Sequence, residues 1–111
     1  MKIAVTYQDG DIFQHFGHTE FFKIYDIENT DIVKTEIVST NGSGHGALAQ
    51  FLHEHSVDTL ICGGIGGGAQ MALSQAGIKL YGGVTGKAND AVNDLLNNNC
   101  LLYTSEAADD K

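Results

Sequence analysis

The chain has 111 residues, of which 42% are hydrophobic and 18% charged, the size and make-up of one globular domain around a single core. Its 14 acidic residues face six lysines and no arginine, for a net charge of -8, which argues against DNA or RNA as a partner and disfavours an anionic membrane surface. No apolar run approaches the ~20 residues of a membrane span, and Met1 and Lys2 lead straight into a strand rather than a signal peptide. A cytoplasmic location is therefore expected, with Cys62 and Cys100 as free thiols in a reducing compartment.

Residues 2–7 (KIAVTY) predict a β-branched-rich strand, closed by a turn over 8–11 (QDGD). The stretch that follows carries His15 and His18, three residues apart, with Gly17 between them to let the loop bend. Residues 19–27 and 32–39, separated by the turn ENTD, read as an antiparallel hairpin. Three strands thus precede any helix. After a loop with Ser43 as a plausible N-cap, residues 45–55 place Ala47, Leu48, Phe51 and Leu52 on one helical face, with His45 in the first turn. His53 and His55 fall near the C-terminal end, where solvation or compensation of the helix dipole accounts for them.

Next comes the stretch around which the chain is organised, DTLICGGIGGGAQMALSQAG over 58–77: an apolar strand, a turn almost wholly of glycine, and a helix capped by Gly77. Gly63, Gly64, Gly66, Gly67 and Gly68 leave one Cβ in six positions, so the backbone is free to take positive φ and a ligand can approach its N–H groups closely. N–H groups at a helix N-terminus lack intrahelical partners and favour negative charge. Two readings stay open: one wall of an anionic-ligand site, or a turn kept small so that a helix packs tightly on a sheet. A dinucleotide site is discounted although Gly64, Gly66 and Ala69 fit the fingerprint spacing. No carboxylate stands about 20 residues on, where the sequence is instead Gly82-Gly83-Val84-Thr85-Gly86. A short strand over 78–81 leads into that second glycine turn, and Ala88, Ala91, Val92, Leu95 and Leu96 mark a third amphipathic helix that Asn97, Asn98 and Asn99 end. Leu101, Leu102 and Tyr103 are expected to pack back on the core, and 105–111 to form a flexible acidic tail.

This order predicts an α/β fold with a mixed five-stranded sheet and helices on its faces. Ligands of such sheets collect at the carboxyl ends of strands, where connectivity reverses. The loops after Tyr7, Ser39, Cys62 and Tyr81 would meet there, bringing His15, His18, His45, Cys62 and both glycine turns towards one rim. Imidazole and thiolate suit soft or borderline metals, so these four are the candidate ligands, each weighed against an ordinary solvated histidine or a small buried cysteine. A structural zinc site lacks its CxxC pairs, and two-metal nuclease chemistry lacks convergent carboxylates. Cys62 acting as a nucleophile with a histidine base lacks a third, orienting group.

His15-Phe16-Gly17-His18 before an aromatic strand, the segment from Ile61 and Cys62 through the five glycines to Ala69, and Tyr81-Gly82-Gly83-Val84-Thr85-Gly86 followed by Ala88, Ala91 and Val92 together resemble the dinitrogenase iron-molybdenum cofactor biosynthesis family. The resemblance runs from Met1 to about Leu102, within a domain of residues 1–104. It implies a ribonuclease H-like three-layer fold and a small non-enzymatic carrier or chaperone related to nitrogen fixation. Such a carrier takes up an iron-sulfur or iron-molybdenum cluster transiently and exchanges it with donor or acceptor proteins. The alternatives are a protein-interaction module without metal and a small Cys62-dependent hydrolase.

Overall fold

A computed structural model describes residues 1–40 and 45–97. The strands are β1 (Lys2–Gln8), β2 (Asp11–Ile12), β3 (Phe21–Glu28), β4 (Asp31–Ser39), β5 (Thr59–Ile61) and β6 (Lys79–Tyr81). The helices are α1 (His45–Glu54), α2 (Gly67–Gln75) and α3 (Ala88–Leu96), with a 3-10 turn at Phe16–His18. The sheet runs β4-β3-β1-β5-β6, and β2 folds back on β1. β3 is antiparallel to both β1 and β4, whereas β1, β5 and β6 are parallel. The expected mixed sheet is present, but among the described residues it has six strands rather than five. β2 arises because Asp9 and Gly10 both take positive φ (51° and 94°), the geometry of a two-residue hairpin turn, and so the predicted turn ends in a short pairing of Tyr7 with Ile12.

Period-two alternation divides the core into two layers. Ala4, Phe22, Ile24, Leu60 and Cys62 point to one side of the sheet, where Leu48 and Leu52 of α1 and Leu73 of α2 cover them. Ile3, Val5, Tyr25, Ile27 and Ile61 point to the other, beneath Ala88, Ala91 and Val92 of α3. α3 is also docked by polar contacts: Asn89 Oδ1 accepts from the Tyr25 hydroxyl (2.6 Å) and from Lys23 Nζ (3.0 Å). β4 takes little part in either layer, since Ile32 and Val38 pack only partly and Val33 and Ile37 stay 53% exposed. Ser43, the three C-terminal apolar residues and the acidic tail lie outside the described residues.

Candidate functional site

β1, β5 and β6 end side by side, and the loops that leave them are laced together by backbone bonds. Cys62 N–H donates to Tyr81 O (3.0 Å), Gly83 N–H to Gly63 O (2.9 Å) and Val84 N–H to Cys62 O (3.0 Å), so the two glycine turns run on as a continuation of the β5–β6 ladder. On the other flank Gly64 N–H donates to Gln14 O (2.7 Å) and Phe16 N–H to Gly64 O (3.0 Å), which pairs His15 with Gly64 in a parallel bridge. The bend bearing the two histidines is thus bonded directly to the five-glycine turn. Gln14 ties in the third loop as well, through Nε2 to Ile12 O (2.9 Å) and Val84 O (3.2 Å). Nothing in the sequence pattern singled Gln14 out, because its role lies in the backbone groups it reaches.

The glycines divide into two sets. A Cβ on Gly63 would lie 2.6 Å from Gln14 Cα, and one on Gly64 would lie 3.1 Å from Gln14 O. These two are small because the His15 loop lies against them, as the packing reading requires. Gly66, Gly67 and Gly68 are exposed, and nothing stands within 4 Å of where their Cβ atoms would be. Gly67 and Gly68 already belong to α2, whose first bond runs from Gln70 N–H to Gly66 O (3.0 Å). The N–H groups of Gly67, Gly68 and Ala69 therefore precede the first intrahelical bond. Conformational freedom is not what this turn uses: the described glycines with positive φ are Gly10, Gly77, Gly83 and Gly86. The expectation of positive φ here is corrected to one of bare, approachable backbone.

His15 and His18 are both exposed, but they face different surroundings. The His15 ring meets Phe13 edge-on at 6.0 Å, beside Gly64. His18 lines a cavity of about 320 Å³ with Tyr7, Phe13 and Phe21 and the acidic residues Asp9 and Glu20. His45 is the first residue of α1, which packs beside the 3-10 turn. At the far end of that helix His55 Nδ1 lies 2.8 Å from Phe51 O and the two rings are 4.4 Å apart, so this histidine is part of the helix terminus.

Cys62 is completely buried, so its thiol does not reach the rim expected from its place at a strand end. It follows Leu60 by two residues and therefore points into the layer under α1 and α2, with Phe16 and Leu73. Burial pushes this thiol up from its ordinary value of 9.0 to about 12. The neutral thiol is what the fold tolerates, which suits packing rather than nucleophilic or ligand chemistry. The unfolded chain loses this proton near pH 9 and the folded chain near pH 12. Cys62 therefore subtracts nothing below pH 9 and lowers stability progressively between the two. In a Cys100→Ser background, native protein at pH 8 is expected to react with a thiol reagent at least about 100-fold more slowly than urea-unfolded protein. Equal rates would place Cys62 at the surface.

Among the described residues, no three His, Cys, Asp or Glu side chains come together as a ready-made metal centre, and no helix is long and apolar enough to cross a membrane. The molecule is thus a small α/β domain with helices on both faces of a mixed sheet, and its distinctive feature is a glycine-lined rim at the carboxyl ends of its parallel strands. Residues 1–98 match the dinitrogenase iron-molybdenum cofactor family, and the chain belongs to that family. It is 33% identical over 86 residues to the uncharacterized protein MJ0580 of Methanocaldococcus jannaschii, a match covering 73% of each chain. Its fold is similar to the crystal structure of PH0822 (26% identity, all of both chains, TM-score 0.86). It is also similar to the apo form of the orange protein from Desulfovibrio gigas, with 26% identity over 94% of this chain and 92% of that one and a TM-score of 0.79.

Proposed function

We propose that this protein is a non-enzymatic carrier that takes up an anionic metal-sulfur cluster as cargo at the glycine rim. The observation that carries this reading is the open space over Gly66, Gly67 and Gly68, where the first three N–H groups of α2 precede any intrahelical bond and packing gives no reason for glycine. His15, held against Gly64, is well placed to ligate or orient such a cargo. His18 shares its cavity lining with two acidic residues, Asp9 and Glu20, and suits an anion less well. Cys62 is assigned to the core, and His45, at the start of α1, is retained as a candidate. Few protein ligands suit a cluster that must be passed on to an acceptor, because a fully ligated one would leave slowly. Membership of the cofactor family supports the cargo class, and the sheet order, with β3 reversed between β4 and β1, supports a ribonuclease H-like lineage.

Anaerobic reconstitution with iron-sulfur or iron-molybdenum cluster, followed by absorption spectroscopy, tests this. His15→Ala is expected to weaken binding by about tenfold or more, in line with the loss of one charge-assisted contact, and Cys62→Ala to leave it unchanged. Gly67→Ala separates binding from folding. It is expected to stabilise α2 by up to about 1 kcal/mol while weakening cluster uptake by covering an N–H. Unchanged binding in both His15→Ala and Gly67→Ala would discard the rim as the site. Absence of bound metal and sulfide under all anaerobic conditions would favour an interaction module instead.

A further inference from the structure

Among the described residues β4 is one of the two edges of the sheet with no strand beyond it, and its sequence is self-complementary about Thr35. Thr40 N–H donates to Glu20 O (2.9 Å), which makes Thr40 and Glu20 a hydrogen-bonded pair just beyond the Phe21–Ser39 register. Such pairs recur at every second residue of an antiparallel ladder. Val38, Glu36 and Lys34 therefore direct their backbone groups at β3, while Ile37 and Thr35 direct theirs outward. Consider a second copy laid antiparallel along this edge with the two-fold axis at Thr35. Thr35 then meets the partner's Thr35 as a hydrogen-bonded pair. Lys34 meets the partner's Glu36 as a non-hydrogen-bonded pair, the geometry in which side chains approach most closely.

Each of these matches is favourable. The Thr–Thr pair and two opposite-charge pairs stabilise a ladder, the latter in exchange for the exposed 3.8 Å contact between Lys34 and Glu36 within one chain, and the pairing helps to cover Ile37, 53% exposed in the single chain. Charges on an edge strand usually prevent pairing. Here they disfavour a two-fold axis at residue 34 or 36, which would set like charge against like. The shift of register between Asp26 and Ile27 makes Val33 the extra residue of a bulge in β4 and confines the regular ladder to residues 34–36.

We propose that two copies of this protein associate edge to edge through β4, forming one continuous sheet with a two-fold axis at Thr35. This interface is independent of the cargo reading. It lies at the far edge from β5 and β6 and leaves the glycine rim open. Its small extent places it among weak, concentration-dependent interfaces.

Sedimentation equilibrium of the full chain from about 10 μM to about 1 mM tests it, a range suited to small interfaces. The wild type is expected to pass from monomer to dimer. Thr35→Pro, which removes an outward N–H and no bond to β3, is expected to remain monomeric with an unchanged circular dichroism spectrum. Lys34→Glu and Glu36→Lys are each expected to weaken self-association by roughly tenfold. An equimolar mixture of these two variants restores both opposite-charge pairs and is expected to associate at least as well as the wild type. A wild type that stays monomeric throughout, dimers indifferent to Thr35→Pro, or a mixture no tighter than its components would each overturn the proposal.

Discussion

Phe16→Ala is expected to lower the unfolding free energy by about 3–5 kcal/mol, the range for removing a fully buried aromatic ring. Phe16 is 1% exposed and packs against Phe22 with ring centroids 6.2 Å apart, in the layer that also holds Leu48, Leu52 and Leu73. Against a total stability of about 5–15 kcal/mol for a domain of this kind, such a loss is a large fraction. The ring also anchors the 3-10 turn between His15 and His18, so the variant's amide spectrum should change most at that turn and at Gly64. Urea denaturation gives the size of the effect. A cost below about 1 kcal/mol would mean that the turn is not part of the core.

A second substitution acts on the seam rather than the core. Gly63→Ala would put a Cβ 2.6 Å from Gln14 Cα, a backbone atom that cannot move without carrying the whole His15 loop with it. The expected destabilisation is roughly 1–3 kcal/mol, the usual cost of overpacking. The bond from Gly64 N–H to Gln14 O should weaken too, as faster amide hydrogen exchange at Gly64. Gly66→Ala is the control: its added methyl meets nothing within 4 Å, so its stability should stay within about 0.5 kcal/mol of the wild type. Similar costs at positions 63 and 66 would contradict the division of the turn into a packed half and an open half.

That division could not be read from the residues themselves, because all five glycines are chemically identical and differ only in what lies opposite them. The elements, by contrast, were legible wherever a side-chain period was sustained. β3, β4, α1 and α3 appear where alternation or helical spacing placed them, within one or two residues. β2 was not, since two residues carry no period and its pairing depends on the backbone twist at Asp9 and Gly10. α2 begins at Gly67, earlier than its apolar residues indicate, because glycine reads locally as loop. The meeting of the His15 bend with the glycine turn follows from placing β1 beside β5, and strand order of this kind is legible from the alternation of strands and helices. The burial of Cys62 was legible only in part: its apolar neighbours were plain, but which face it takes depends on register with Leu60.

The empty space above residues 66–68 has an evolutionary consequence. A Cβ added at any of these three positions meets nothing within 4 Å, whereas one at position 63 would lie 2.6 Å from Gln14 Cα. On the carrier reading, selectivity at this mouth is open to change by single substitutions that folding does not oppose, and one inherited framework can be retuned to accept different guests.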